Sequence, residues 1–186
     1  MSAIFFSNAR IFLVGMPGAG KTTLGRRLAA ELQRPFLDLD AEIEREVGRP
    51  VSEIFQSEGE IFFREYEAIA LRRIGLANPL VLATGGGTPC FHHSMNWLLA
   101  HGHVVWLDAA PGLIARRLLT AEAAVAGRPL LAAAARATPE ATENALLALL
   151  NQTLATRRPF YSQAPYHVVG PDLATDVRHV RRLLGI

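Results

Sequence analysis

Short apolar runs alternate with amphipathic segments along the chain, and this alternation predicts its secondary structure. Branched apolar residues bounded by glycine or proline predict buried strands at residues 10–14, 80–83 and 103–107. Shorter runs predict a strand that ends at residues 38–40 and another at residues 167–169. Apolar residues that recur every three or four positions predict helices at residues 22–33, 41–47, 51–56, 60–76, 93–100, 111–119, 139–158 and 172–184.

The order of these elements indicates the fold class. Strands alternate with helices from end to end, which favours an α/β fold with a five-stranded parallel sheet and helices on both faces. Ligands of such sheets bind at the carboxyl ends of the strands, where the glycine-rich and acidic loops of this chain fall. Residues 120–138 differ because they are rich in alanine and irregular. No linker divides the 186 residues, so we expect one domain.

Composition narrows the function classes. Half of the residues are hydrophobic and 19% are charged, which excludes an intrinsically disordered protein. The net charge of +2 is too small to indicate a nucleic-acid partner, and no apolar run approaches the roughly 20 residues of a membrane span. Of the 19 basic residues 18 are arginine, which a codon bias explains; it does not explain where the single lysine, Lys21, lies.

The cysteine content and the first seven residues indicate the cellular compartment to expect. Cys90 is the one cysteine, so it can form neither an internal disulfide nor a zinc site. Residues 2–7 are apolar but lack a basic segment before them, which does not fit a signal peptide. We therefore expect a cytoplasmic protein.

A phosphate-binding motif follows the first predicted strand. Residues 15–22, GMPGAGKT, fit G-x-x-x-x-G-K-[ST] between a strand and a helix. Glycines let backbone N–H groups converge on phosphate oxygens, and the helix N-terminus adds its positive dipole. Lys21 can reach the terminal phosphates, and the Thr22 hydroxyl can reach Mg²⁺. The compact ammonium of lysine suits this position better than a planar guanidinium.

Asp38 and Asp40 come at the end of the second predicted strand. Residues two apart on a strand point to the same side, so both carboxylates are expected to face one site. One would then serve a metal and the other would orient a hydroxyl. Asp40 could equally cap the following helix.

Several arginines and a glycine triplet are ambiguous when each is taken alone. Arg64 could be a solvated helix residue paired with a neighbouring glutamate. Gly85–Gly86–Gly87 directly after a buried strand indicates a close approach of backbone and ligand, although a tight turn also fits. Arg128 lies in the irregular stretch and Arg157 near a helix end, and a surface position would explain either one.

Together these segments resemble the shikimate kinase family over almost the whole chain. The resemblance depends on ordered motifs: GMPGAGKTT at 15–23, LDLD at 37–40, IF at 54–55, GE at 59–60 followed by FRE at 63–65, TGGGT at 84–88, GRPLL at 127–131 and RRPFY at 157–161. It implies a P-loop NTPase fold like that of nucleoside-monophosphate kinases, with a substrate-binding region at about residues 39–77 and a mobile lid at about residues 119–138.

The family assigns ATP and metal contacts by the same motifs. Lys21, Asp40 and Arg128 would be catalytic, with Arg128 brought onto the phosphates by the lid. Thr22 and Asp38 would bind Mg²⁺, Asp38 through water. The remaining ATP contacts would come from Gly18, Ala19, Gly20, Thr23 and Arg117, the last by stacking on adenine.

For the substrate, the resemblance implies that Asp40 activates a shikimate hydroxyl and that Arg64 and Arg157 bind the carboxylate. Gly85, Gly86 and Gly87 would contact shikimate, with Gly86 offering its backbone. Phe55 and Phe63 would wall the pocket, and Glu67 would support Arg64. Arg158 leaves the identity of the second carboxylate ligand open, although the spacing to Pro159 and Tyr161 favours Arg157.

The expected reaction is ATP-dependent phosphorylation of the 3-hydroxyl of shikimate in aromatic amino acid biosynthesis, by a monomer that binds no nucleic acid or membrane. A gluconate kinase is the nearest alternative, and a non-catalytic nucleotide-binding module is another. The glycine triplet and the arginines favour shikimate, and the acidic pair argues against a module that only binds nucleotide.

Overall fold

Five strands form the centre of the molecule in the computed structural model, which describes residues 10–74, 76, 79–120, 139–170 and 173–186. They are β1 Arg10–Val14, β2 Phe36–Asp38, β3 Leu80–Ala83, β4 His103–Asp108 and β5 Tyr166–Val169. All neighbours pair in parallel, in the order β2-β3-β1-β4-β5. The predicted five-stranded parallel sheet is thus confirmed, and its strand ends meet at one edge.

Helices connect the strands. They are α1 Lys21–Glu31, α2 Leu39–Val47, α3 Val51–Ile74, α4 Ser94–His101, α5 Pro111–Thr120, α6 Pro139–Tyr161 and α7 Leu173–Leu184, and a short 3₁₀ turn covers Thr88–Cys90. The predicted lid falls mostly on residues 121–138, which lie outside the described residues, and so does the predicted contact of Arg128. No helix among the described residues is long and apolar enough to cross a membrane.

The apolar runs of the central strands explain why the sheet is covered on both faces. Successive residues of a strand point to opposite faces. In β1, Ile11 is 1% exposed while Phe12, Leu13 and Val14 are fully buried, so both faces are packed. Each such side chain contributes about 1.5–3 kcal/mol by leaving water, which ties the strand ends firmly in place.

The two helices predicted at residues 51–56 and 60–76 are present as the two parts of α3, which ends at Ile74. Gly59 separates them, because its φ of 85° and ψ of 170° are not helical. A glycine can adopt this conformation at little cost, so the chain changes direction there between the two helical parts. The helix expected to end at Arg158 continues through Pro159 to Tyr161.

The geometry predicted for the acidic pair is wrong. The chain leaves β2 at Asp38 and begins α2 at Leu39, so Asp40 lies in the first turn of a helix and not on a strand. The i, i+2 alternation of a strand therefore cannot bring the two carboxylates together. Asp40 is also not the N-cap residue; Asp38 occupies that position without a side-chain capping bond.

Candidate active site

A cavity of about 860 Å³ opens at the carboxyl edge of the sheet. The phosphate-binding loop forms one part of its wall, and α3, the glycine triplet and α6 form another. The two parts meet where Gly86 lies against Pro17. Nearly all the predicted site residues within the described part of the chain lie on its wall: Gly18, Gly20, Lys21, Thr22, Thr23, Asp38, Asp40, Arg64, Gly85, Gly86, Gly87, Arg117 and Arg157.

The phosphate-binding loop has the backbone that its glycines allow. Gly15 and Gly20 have φ of 138° and 104°, values that side-chain-bearing residues rarely adopt. Lys21 begins α1 and is only 8% exposed. Its Nζ donates to the carbonyl oxygens of Gly15 at 2.8 Å and Met16 at 3.0 Å, so the ammonium lies over the loop. This geometry presents one positive charge at the helix N-terminus, the place where a phosphate binds best.

Ala19 and Arg117 support this loop from behind. The Ala19 N–H donates to the Met16 carbonyl at 3.1 Å, and Ala19 is not on the cavity wall. Arg117 of α5 donates from Nη1 to the Ala19 carbonyl at 3.0 Å and, more weakly, to that of Gly18 at 3.4 Å. Arg117 also borders the cavity, so it can meet a nucleotide there while it holds the loop.

The two side chains predicted to bind a divalent cation lie together beside the loop. The Thr22 hydroxyl donates to Asp38 Oδ2 at 2.7 Å, which joins the start of α1 to the end of β2. Among the described residues no group of three or more His, Cys, Asp or Glu side chains could hold a metal. A hydroxyl and one carboxylate suit Mg²⁺, which takes few protein ligands and keeps phosphate oxygens and water.

Asp40 borders the cavity, is partly accessible, and has acidic and basic groups near it. Burial, and after it the nearby Glu67 and Asp38 carboxylates, raises the pKa of Asp40 to about 7, against the opposing effect of Lys21 and Arg64. The charged form of Asp40 is thus poorly solvated in the empty cleft. A carboxylate in this state accepts a hydrogen bond from a hydroxyl donor readily.

Arg64 is buried among aromatic rings instead of lying on a solvated helix face. Its side chain belongs to the second part of α3 and is 8% exposed as a residue. The guanidinium carbon lies 4.6 Å from the centre of the Phe91 ring, 5.3 Å from Phe63 and 5.4 Å from Phe55. Three rings around one cation fix the plane of the guanidinium and strip it of water, which strengthens its attraction for anions.

Two carboxylates neutralise this buried cation. Arg64 Nη1 donates to Glu67 Oε2 at 2.9 Å, while Nε and Nη2 donate to Glu60 Oε1 at 3.2 and 3.1 Å. Glu67 Oε1 also accepts a hydrogen bond from the Thr88 hydroxyl at 2.6 Å. The geometry agrees with the expectation that Glu67 supports Arg64.

The glycine triplet lies so close to neighbouring side chains that a Cβ atom at any of its three positions would overlap them. A methyl group at Gly85 would come within 2.7 Å of both Asp40 Oδ1 and Glu67 Oε1, and one at Gly87 would meet the Arg64 guanidinium at 2.6 Å. At Gly86 it would overlap Pro17 at 2.6 Å and approach Arg157 Nη1 at 3.0 Å. The missing side chains therefore let the acidic and basic groups close in around the loop.

Arg157 and Arg158 point to different surroundings. Arg157 borders the cavity, and its Nη1 is buried with no hydrogen-bond partner. Arg158 lies over the Trp106 ring, with its guanidinium carbon 5.4 Å from the ring centre and its Nη2 3.8 Å from Asp108 Oδ2, away from the cavity wall. A buried guanidinium nitrogen without a hydrogen-bond partner beside a cavity is a place where an anion can bind. Nη1 of Arg157 is such a nitrogen.

Sequence reasoning did not anticipate three contacts of this end of the cleft. Phe91 covers Arg64, the Thr88 hydroxyl binds Glu67, and the Tyr161 hydroxyl donates to the Gly86 carbonyl. Tyr161 is fully buried, four residues after Arg157 on α6. These contacts join residues far apart in sequence. Thr88 and Tyr161 at least lie within the TGGGT and RRPFY motifs, whereas Phe91 lies outside both and had no sequence signal.

Comparisons with known proteins agree with this cleft. The shikimate kinase family model matches residues 17–184. The curated shikimate kinase of Bacteroides fragilis is 39% identical over 183 residues, which cover 95% of this chain and 97% of that protein.

Solved structures agree as well. A shikimate kinase from Bacteroides thetaiotaomicron superposes with a TM-score of 0.86 at 36% identity, covering 96% of this chain and 99% of that one. Shikimate kinase from Acinetobacter baumannii, solved in complex with shikimate, gives a TM-score of 0.83 at 35% identity over 99% and 97% of the two chains. This chain belongs to the shikimate kinase family.

Proposed function

We propose that this chain transfers the γ-phosphoryl group of ATP to the 3-hydroxyl of shikimate in the cleft described above, with Mg²⁺ as the divalent cation. The family is that of an ATP-dependent kinase, which supports the reaction and favours shikimate over gluconate. The carrying observation is the pair Arg64 and Arg157, which approach one glycine loop beside the phosphate-binding loop. Two guanidinium groups beside a carboxylate suit a small polyhydroxylated acid.

At the phosphate end, Lys21 and the loop amides bind the β- and γ-phosphates. Lys21 Nζ already lies at the loop, where it can exchange main-chain carbonyls for phosphate oxygens. Thr22 and Asp38 would hold Mg²⁺, Asp38 through water. When bound, Mg²⁺ neutralises charge that develops on the phosphate oxygens.

Asp40 is the residue we assign to the attacking hydroxyl. It lies between the two ends of the cleft, and burial keeps its pKa near 7. Asp40 accepts the hydrogen bond of the 3-hydroxyl, directs the oxygen at the phosphorus and can take up the proton as the new bond forms. Because the transition state of phosphoryl transfer is loose, this orientation and the charge of Lys21 supply most of the catalysis.

At the other end, Arg64 and Arg157 bind the carboxylate, and the glycine triplet leaves room for the ring of the substrate. Phe55 and Phe63, with ring centres 4.5 Å apart, form an apolar wall beside it. Arginine–carboxylate pairs fix orientation as well as affinity. We extend the proposal to one domain, whose region 39–77 binds the substrate and whose segment 119–138 closes with Arg128 to exclude water.

We further propose a monomer that works in the cytoplasm, where the lone thiol of Cys90 stays reduced. Gel filtration with light scattering measures the state of the purified chain, and a dimer at catalytic concentration would contradict this part.

A coupled ADP-release assay tests the reaction. We expect turnover with shikimate, none with gluconate or without an acceptor, loss of turnover on chelation and recovery with added Mg²⁺. Phosphorus NMR of the product identifies the phosphorylated hydroxyl. ADP release that does not depend on shikimate would overturn the proposal in favour of an ATPase, and faster turnover of gluconate would favour the alternative kinase.

A further inference from the structure

The bidentate edge of the Arg64 guanidinium is already occupied by the protein. Nε and Nη2 form the fork on which a guanidinium binds one carboxylate through two parallel bonds. Both donate to the same oxygen, Glu60 Oε1, at 3.2 and 3.1 Å. Glu60 is four residues before Arg64 on α3 and lies on the cavity wall. A side chain of the enzyme therefore takes the place that the proposed function gives to the substrate.

The two glutamates on Arg64 are held very differently. Glu67 has a side chain only 2% exposed and is fixed a second time by the Thr88 hydroxyl. The Glu60 side chain is 57% exposed, directly follows the break at Gly59, and has no other hydrogen bond among the described residues. Breaking the pair between Glu67 and Arg64 would leave a buried charge without a partner. The exposed carboxylate of Glu60 can instead rotate away into the solvent at little cost.

The aromatic rings around Arg64 keep its guanidinium from rotating. Phe55, Phe63 and Phe91 surround the guanidinium, so rotating it to offer another edge would break those contacts. A methyl group at Gly87 would lie 2.6–2.7 Å from Cζ, Nη1 and Nη2, which places the glycine loop close against the same group. The fork is therefore held in one orientation.

We propose that Glu60 is a displaceable counter-ion that competes with the substrate carboxylate for Arg64 and so sets the affinity for shikimate. The inference rests on the proposed role of Arg64. In the empty enzyme Glu60 neutralises a buried cation that would otherwise be poorly solvated. An incoming ligand must bear its own carboxylate to replace it, so an uncharged analogue such as the amide or ester of shikimate is rejected more strongly than loss of one ion pair would predict.

The test replaces Glu60 with glutamine. E60Q keeps the size and the oxygen acceptor of the side chain but removes the charge, and a neutral acceptor binds guanidinium more weakly. We expect the KM for shikimate, and its Kd measured by calorimetry without ATP, to fall about 3- to 10-fold, with the KM for ATP unchanged. An unchanged or raised shikimate Kd in E60Q would overturn the proposal, because Glu60 would then be a spectator or a support of the binding pose.

E58Q is the matched control for charge. Glu58 lies two residues away, is 40% exposed and pairs with Arg49 at 3.3 Å outside the cavity. Removing its charge changes the long-range field on an anionic ligand by a similar amount but leaves Arg64 untouched. We expect the shikimate Kd of E58Q to equal that of the unaltered enzyme. An equal fall in E58Q and E60Q would show a general field effect and overturn direct competition.

R64A separates this inference from the proposed function. If Arg64 binds the carboxylate, R64A raises the shikimate KM far more than the ATP KM, and E60Q then has no further effect in the R64A background. An R64A variant that folds by circular dichroism and keeps its shikimate KM would contradict the proposed role of Arg64 itself. A strong effect of R64A together with no effect of E60Q would overturn the competition alone.

Discussion

The two ends of the cleft are built in different ways. The phosphate end is centred on one contiguous loop, in which the Lys21 ammonium binds main-chain carbonyls of the same loop, while Asp38 and Arg117 contact it from other elements. The carboxylate end is assembled from side chains of α3, the glycine triplet and α6, with Arg64 and Arg157 as its cations. One end is a property of eight consecutive residues, and the other exists only once the chain has folded.

The two arginines at the carboxylate end differ as well. Arg64 already has carboxylates on both sides, whereas Arg157 has a buried nitrogen without a hydrogen-bond partner. The carboxylates on Arg64 stabilise the protein without a ligand, whereas the Nη1 atom of Arg157 remains available to an anion. We expect the phosphate end to govern the rate of the chemical step and the carboxylate end to govern which acid binds.

Lys21→Met should give the largest effect. The substitution keeps the length of the side chain and removes the charge that faces the phosphates, so kcat should fall by more than about 10³-fold. Lys21→Arg keeps the positive charge but changes the shape of the charged group. We expect its kcat to be severely reduced as well, because a planar guanidinium does not fit over the loop. Stopped-time ADP assays measure both. A near-normal Lys21→Met enzyme would contradict the role of the loop.

Asp40→Asn should affect rate and stability in opposite directions. The amide cannot take up a proton, so kcat should fall by about 10²- to 10³-fold. Burial raises the pKa of Asp40 above that of an unfolded aspartate. The protonated acid therefore contributes stability that is complete below pH 4 and is lost as the pH rises through about 7.

The unfolding temperature of Asp40→Asn should accordingly match that of the unaltered protein below pH 4 and exceed it by a margin that grows as the pH rises towards 8. Thermal unfolding across this range measures the difference. Asp108→Asn, at the end of β4 and outside the cavity wall, is the kinetic control. A stability difference that does not change with pH would contradict the assigned pKa of Asp40.

Arg157→Ala should give the smallest of the three effects, and the effect should be on substrate binding and not on kcat. Loss of a charge-assisted pair should raise the shikimate KM by about 10- to 100-fold and leave the ATP KM within about twofold. The neighbouring Arg158→Ala is the control, because Arg158 lies over Trp106 and borders no part of the cavity. Equal effects of the two substitutions on the shikimate KM would contradict the division between the ends of the cleft.

The sequence predicted the phosphate end well because its physics is local. A strand, a glycine loop and a helix in succession suffice to bring Lys21 and Thr22 to one place. The acidic pair shows the limit of such reasoning. Both carboxylates do border the cavity, but through a change from strand to helix at Leu39, which a simple alternation rule cannot foresee.

The carboxylate end could be predicted only by resemblance. Arg64 is charged and helical, which taken alone favours a solvated position, and only the rings that meet it in the folded chain make it buried. The choice between Arg157 and Arg158 depends on how α6 is rotated against the sheet, and its rotation is set by packing such as that of Tyr161. Long-range packing of this kind leaves no periodic trace in the sequence.

The glycine triplet has a consequence for how this chain can change over evolutionary time. Alanine, the smallest replacement, would meet a different obstacle at each position: two carboxylates at Gly85, a proline at Gly86 and a guanidinium at Gly87. A Cβ atom at any of these positions would require its neighbours to shift. Two of the positions share an ion pair, because Glu67 beside Gly85 is bonded to Arg64 beside Gly87. A substitution at either position therefore disturbs the same pair of charges.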